Sequence, residues 1–149
     1  MKDLRDPRLV LTRVYPVSPE KVWRAWTDPQ ALARWFGPGP VDTASVIELD
    51  LRVGGRYRIA FGAPDGSAHE ASGVYLAVEP LRRLVFTWVR RGMPEADSQV
   101  TIELRPVEGG TALNFRHEQF RDVAVRDDHE GGWRPTFDKL DAFIAEAGA

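Results

Sequence analysis

The dipeptide His-Glu occurs three times in this chain of 149 residues, beginning at His69, His117 and His129. An imidazole beside a carboxylate can serve acid–base or metal chemistry. None of these histidines is followed by a second one four residues later, so the helical zinc-protease motif is absent. The chain also has no cysteine, no glycine-rich phosphate loop and no nucleophile elbow. We therefore expect no metal site and no cofactor, and we do not expect an enzyme.

His117 is the best candidate for a functional histidine, because it shares strand parity with Leu113 and Phe115. If those two side chains face the core, His117 also points inward. It could then anchor a ligand carboxyl or hydroxyl group, or act as an acid or base. The interpretation that we favour is a core histidine, hydrogen-bonded to a backbone carbonyl near the start of the last helix.

Large aromatic side chains are the second group that could form a site. They would either line an apolar cavity or fill it, and for any single residue core packing is the better expectation. Tyr75 is out of register with Val74 and Leu76, so we expect it to face solvent. Five tryptophans in a chain of this length predict a small cavity or none. The candidate cavity residues are Trp35, Phe36, Phe61, Trp88, Phe115, His117, Trp133 and Phe137.

Helices and strands must position these side chains. Arg8 to Tyr15 resembles a first strand, and two short helices are expected between Ser18 and Phe36 because Ser18-Pro19 and Asp28-Pro29 are both typical helix starts. From Ser45 onward, apolar and polar residues alternate with a period of two, which predicts half-buried antiparallel strands. The breaks between the strands are short and rich in glycine and proline, so a meander is expected. Gly54-Gly55 predicts a bulge or a sharp bend rather than a ligand cradle.

The last segment predicts one long helix. Trp133, Phe137, Leu140 and Ile144 follow a helical spacing and should share one face. Asp127, three residues before Glu130, resembles a capping arrangement, which places the helix start near Asp128 and its end at Glu146. The acidic cluster there is better explained by the helix N-terminus than by catalysis. Its members are Asp122, Asp127, Asp128 and Glu130.

Pro135 lies inside this predicted helix. A proline removes one backbone hydrogen bond and clashes with the residue one turn back, where Gly131 softens the clash. We expect a kink near Gly131 to Arg134, or a helix that begins there.

Composition excludes several classes of protein. The net charge of -2 provides no basic field, so nucleic-acid binding is not expected. No apolar stretch approaches the length that spans a bilayer, and the first ten residues lack the apolar core of a signal peptide. We expect a single cytoplasmic domain over residues 1–149, monomeric or homodimeric. The preference for arginine over lysine suggests a GC-rich bacterial genome.

Several of these segments together resemble the activator-of-heat-shock-ATPase homologue family, within the START-like (SRPBCC) superfamily of helix-grip folds. The similarity extends from about Arg8 to Ile144, nearly the whole chain. The segments that carry it are Pro16 to Trp23, Trp35-Phe36, Val53-Gly54-Gly55, Glu79-Pro80, Leu84 to Trp88, Gly110-Thr111, His117, Phe120 and Gly132-Trp133.

The resemblance implies an α+β fold, in which a curved antiparallel sheet of six to seven strands grips the C-terminal helix and two short helices follow the first strand. It also implies an apolar cavity between sheet and helix. In the superfamily such cavities hold lipids, sterols, polyketides or other hydrophobic molecules. The function we expect is therefore the binding of a hydrophobic small molecule.

Two alternatives remain open. The first is a co-chaperone that stimulates the ATPase of the ninety-kilodalton heat-shock chaperone in a stress response. Eukaryotic family members with that role carry a separate N-terminal domain, for which this chain has no room. The second is an enzyme resembling a polyketide cyclase. That alternative needs two or more polar side chains converging in the cavity, and the inward faces offer chiefly His117.

Overall fold

The computed structural model describes residues 7–40, 43–91 and 98–147. Seven strands form one antiparallel sheet in the order β1-β7-β6-β5-β4-β3-β2. The strands are β1 (Arg8–Tyr15), β2 (Ser45–Leu49), β3 (Arg56–Gly62), β4 (Ala68–Glu79), β5 (Arg83–Arg90), β6 (Ser98–Val107) and β7 (Gly110–Glu118). Strands β2 to β7 pair in chain order, which confirms the predicted meander, and β1 extends the sheet by pairing with β7.

Two short helices follow β1, as the sequence predicts: α1 (Pro19–Thr27) and α2 (Pro29–Trp35). Each has a proline in its first turn, where the missing N–H has no intrahelical partner to lose. The Asp28 side chain caps α2 by accepting a hydrogen bond from the Gln30 N–H at 2.9 Å. Ser18 stands at the N-cap of α1, but its side chain makes no capping hydrogen bond. Pro19 and tertiary packing therefore determine where α1 begins.

The third helix, α3, spans Val123–Ala147 and begins earlier than predicted. The expected start near Asp128 is wrong because the capping residue is Asp122, whose carboxylate accepts from the Val125 N–H at 2.9 Å. Asp127 instead pairs with the neighbouring Arg126. The alternative of a helix beginning near Gly131 is also wrong, since α3 continues without a break through Pro135. A kink there stays a prediction.

The predicted apolar face of α3 is confirmed. Trp133, Phe137, Leu140 and Ile144 are all buried and belong to the hydrophobic core between α3 and the sheet. With 25 residues, α3 is about 37 Å long, which is enough to cross several strands. The sheet and this helix together form the helix-grip architecture that the resemblance implies.

Strand β4 differs from the prediction at Tyr75. This side chain is only 4% exposed, whereas Leu76 is 46% exposed. Both alternating sets of β4 contain large side chains, so parity alone does not show which set faces the core. The register against β5 also shifts between Tyr75 and Ala77, which reorients the strand after that point. The expectation that Tyr75 faces solvent is therefore wrong.

The diglycine Gly54-Gly55 forms the tight bend between β2 and β3. Gly54 has a φ of +85°, and a Cβ on Gly55 would lie 2.0 Å from the backbone oxygen of Asp50. Only glycine fits this bend. Within the described residues, no helix is both long enough and apolar enough to cross a bilayer.

Candidate ligand site

An apolar void of about 50 Å³ opens between α3, the start of the α2–β2 loop and the sheet. We call it the outer void. Its volume is well below the ~300 Å³ of the smaller ligand pockets in proteins. Aromatic side chains therefore fill most of the space that the resemblance assigns to a ligand. The lining residues are Phe36, Gly37, Pro38, Phe61, Trp88, Arg90, Asp128, His129, Gly132, Trp133 and Thr136.

Four of the eight candidate cavity residues lie on this wall, namely Phe36, Phe61, Trp88 and Trp133. Their rings contact one another through Phe36, whose centroid is 5.5 Å from that of Phe61 and 6.0 Å from that of Trp88. The Trp133 ring lies 6.1 Å from it, edge to face. Such spacings are typical of packed aromatic pairs.

The other four candidates do not line this void. Trp35, Phe115, Phe137 and His117 are all fully buried behind it. Phe115 packs between α3 side chains, with its ring centroid 4.7 Å from Trp133 and 5.1 Å from Phe137. These side chains support the wall from behind, and a ligand in the void would not touch them.

A second and smaller void, of about 10 Å³, lies deeper in the core, and we call it the inner void. Phe36 lines both voids, so its ring stands between them. The residues around the inner void are Trp26, Leu32, Phe36, Tyr57, Ile59, Tyr75 and Phe86.

His117 lies at the centre of a buried chain of hydrogen bonds. Its Nδ1 accepts from the Trp133 Nε1–H at 3.0 Å, because an indole nitrogen can only donate. The Nε2 atom therefore carries the proton and donates to the Ser98 hydroxyl oxygen at 2.7 Å. Ser98 in turn donates to the backbone oxygen of Trp88 at 3.3 Å. The partner of His117 is thus a serine and an indole, not the backbone carbonyl that the sequence suggests.

His129 continues this chain on the wall of the outer void. Its Nε2 accepts from the Trp88 Nε1–H at 3.1 Å, so its Nδ1 carries the proton and donates to the backbone oxygen of Val125 at 2.9 Å. The two imidazole rings are 5.2 Å apart. Burial, and to a smaller extent the neighbouring His129, hold the pKa of His117 well below its usual value of 6.5. The His117 ring is therefore neutral in this arrangement.

An ion pair lies at the edge of the outer void. Arg90 Nη2 donates to Asp128 Oδ2 at 2.9 Å, with side-chain exposures of 21% and 57%. Arg90 continues the inward-facing row of β5 that contains Phe86 and Trp88. A cation at the mouth of an aromatic cavity can bind a polar or anionic part of a ligand. Among the described residues, no group of three or more potential metal ligands is found.

Sequence reasoning missed several residues of this site. Arg90 could have been found from strand parity, since it lies two residues beyond Trp88 on the same face. His129 could have been found from helix periodicity, because it precedes Trp133 by four residues. Gly132 has no comparable signal: a Cβ would meet nothing within 4 Å either there or at Gly131, and only the packed structure shows that Gly132 lines the void.

A larger concavity, of about 760 Å³, lies on the opposite face of the sheet. It is open and is lined mainly by polar and charged side chains of β1, β5, β6 and β7, including Arg83, Glu103 and Arg105. Part of that charge is already paired, as in the 2.8 Å contact between Arg83 and Glu79. It is a shallow sheet surface, and the outer void is the better candidate for enclosing a ligand.

The comparisons with known proteins agree with this architecture. A family model described as "Activator of Hsp90 ATPase homolog 1-like protein" matches residues 16–145. The crystal structure of CV1439 from Chromobacterium violaceum is 33% identical, with a TM-score of 0.83 over 93% of this chain and 96% of that one. The AHSA1 protein SPO3351 from Silicibacter pomeroyi is 27% identical, with a TM-score of 0.80 over 94% of this chain and 99% of that one.

A more distant structure is DynU16, a protein of the dynemicin biosynthetic locus. It is 23% identical, and the match covers 96% of this chain but 49% of that one, with a TM-score of 0.76. At this identity the likeness shows the shared fold alone. No curated protein matches the sequence.

Proposed function

The chain belongs to the Activator of Hsp90 ATPase homolog 1-like family, and from this premise we propose that it binds a hydrophobic small molecule between its sheet and α3. The observation that carries the proposal is the outer void, an apolar space with four aromatic walls and a mouth at Arg90 and Asp128. Ligand sites are typically lined in this way, by apolar side chains with a few polar groups. A cytoplasmic location and a bacterial source stay predictions of the sequence.

The small volume of the void limits the proposal. A space of about 50 Å³ holds a few water molecules and no drug-sized ligand. Binding must therefore widen the site, and we assign the movement to residues 36–40, which follow α2. The Gly39 N–H donates to the Gly62 oxygen at 3.0 Å, and Lys139 Nζ donates to the Gly39 oxygen at 2.6 Å and to the Pro40 oxygen at 3.5 Å.

An enzymatic function receives less support from the site. The charged and polar side chains that line the void, apart from the two indoles, are Arg90, Asp128, His129 and Thr136, and each has a polar partner; Arg90 and Asp128 pair with each other. His129 has both ring nitrogens in hydrogen bonds, and Thr136 donates to the Gly132 oxygen at 2.7 Å within α3. A catalytic acid or base needs a free site facing its substrate. A chaperone-stimulating function is supported by the family description alone, so we retain it only as the competing outcome.

A pair of adjacent glycines in α3 allows a controlled test. Gly132 lines the outer void, whereas Gly131 is exposed and does not line it. Replacing either one with leucine favours the helix, since leucine is a much better helix former than glycine. Gly132→Leu should fill the void and weaken binding of a naphthalene-based fluorescent probe at least tenfold. Gly131→Leu should leave the affinity unchanged.

The outcomes separate the two functions. Probe binding that is lost in Gly132→Leu and retained in Gly131→Leu supports a cavity. Equal binding by both variants would place the probe elsewhere and contradict the proposal. Stimulation of an Hsp90-type ATPase by the wild-type protein, without any probe binding, would favour the chaperone function instead.

A further inference from the structure

The indole N–H of Trp26 is a buried donor without an acceptor. Trp26 is 3% exposed, and among the described residues its Nε1 is the buried side-chain polar atom that has no hydrogen-bond partner. Every other buried indole in this core is paired. Trp35 donates to the Ala25 oxygen at 2.9 Å, and Trp88 and Trp133 donate to the two histidines. An unpaired buried donor is rare in native proteins, so this one requires an explanation.

Trp26 lines the inner void, and an oxygen atom placed there is the simplest acceptor for its N–H. Tyr75 lies on the same wall, but its hydroxyl is not a buried unpaired group, so it can be hydrated. One buried unpaired donor among aromatic walls favours an occupant that carries an acceptor oxygen.

As it stands, the inner void of about 10 Å³ has room for roughly one water molecule. A larger occupant needs the space of the Phe36 ring, which lies between the two voids. Phe36 is the C-cap residue of α2, and the loop that follows begins at Gly37, which has a φ of +89°. Turning the Phe36 ring away, together with residues 37–40, would join the inner and outer voids.

We propose that Trp26 Nε1–H is the polar recognition group of the ligand site, donating to a carbonyl oxygen of an aromatic ligand that displaces the Phe36 ring. This inference rests on the proposed function. The ligand class is a carbonyl-bearing aromatic molecule such as an aryl ketone, a quinone or an aryl ester. A plain hydrocarbon of the same shape leaves the Trp26 donor unpaired and binds less well.

Acetophenone and cumene test this inference, because they share a phenyl ring and a methyl group and are similar in size, but only acetophenone carries a carbonyl oxygen. Both are titrated into ¹⁵N-labelled wild-type protein while the indole N–H resonances are recorded. Acetophenone should bind about 3- to 10-fold more tightly than cumene, as expected for one buried hydrogen bond. It should also shift the Trp26 indole proton downfield, which cumene should not do.

Two tryptophans of α1 supply the variant and its control. Trp26→Phe keeps a ring in the core but removes the N–H, so it should abolish the difference between the two probes. Trp23→Phe removes a partly buried indole that does not line either void, so it should keep the difference. Phe36→Leu should increase the affinity for both probes, because less side chain has to be displaced.

Equal affinities for the two probes in the wild-type protein, with no shift of an indole proton, would overturn the inference. The Trp26 Nε1–H would then donate to a bound water molecule only, and the proposed function would still stand. If neither probe binds, the inference and the proposed function both fail. Lower affinity in Phe36→Leu would refute the displacement of that ring. The wild-type comparison remains decisive even if Trp26→Phe does not fold.

Discussion

Replacing His117 with glutamine tests the central hydrogen-bond chain through its pH dependence. The folded protein holds the pKa of His117 well below 6.5, whereas the unfolded chain leaves that imidazole near its ordinary value. Below pH 6.5 the unfolded state therefore binds a proton at this imidazole, whereas the folded state does not. The free energy of unfolding must fall as the pH falls, since proton binding stabilises the unfolded state and not the folded one.

The magnitude follows from proton linkage. Each pH unit below about 6.5 removes about 1.4 kcal/mol for one such group, until the folded pKa is reached. Between pH 7.5 and 5.0 the loss due to His117 reaches at most about 2 kcal/mol, the value for a ring that stays neutral in the folded state throughout. Protonation of the folded ring is opposed first by its burial, which penalises the charged form. The Trp133 contact adds to this, because Nδ1 already accepts that N–H and an added proton would place two donors face to face.

The assay is urea unfolding followed by tryptophan fluorescence at several pH values from 7.5 to 5.0. His117→Gln should be less stable than the wild type at pH 7.5 by about 1–3 kcal/mol, because the amide cannot reproduce both hydrogen bonds. The difference from the wild type should shrink on going to pH 5.0, by up to about 2 kcal/mol. His69→Gln, at a histidine outside the chain of hydrogen bonds, should follow the wild-type curve.

A constant difference between wild type and His117→Gln across this pH range would refute the reasoning. It would mean that His117 titrates alike in both states, so that burial and the Trp133 contact do not exclude the proton. Most other titratable groups are unchanged between the two proteins, and the measured difference reports His117 together with its interaction with His129.

Two further predictions concern α3. Asp122→Ala should lower the free energy of unfolding by about 1 kcal/mol, since it removes the side-chain cap of the helix. Asp127→Ala should have a smaller effect in the same urea titration, and equal losses would refute Asp122 as the cap. Pro135→Ala should raise the midpoint temperature of thermal unfolding, because it restores the hydrogen bond to the Gly131 oxygen that proline cannot make. An unchanged or lower midpoint in calorimetry would show that the helix already accommodates the proline.

Features with a local period were predictable from the sequence. The face of α3 that contains Trp133 and Ile144 follows from helical spacing, and the order of β2 to β7 follows from short turns between alternating segments. The two short helices follow from Ser18-Pro19 and Asp28-Pro29. In each case, interactions between residues a few positions apart determine the outcome, so the chain carries the signal within one window.

Tertiary packing decided the rest. Both sets of side chains on β4 could have faced the core, and only the pairing with β5 buried Tyr75. His117 finds its partners on β6 and α3, at distances along the chain that no local pattern encodes. The void volumes and the unpaired Trp26 donor depend on how side chains from three helices and the sheet fill a common space. These volumes and contacts depend on close packing between elements that are distant in the chain. No single segment of the sequence therefore determines them.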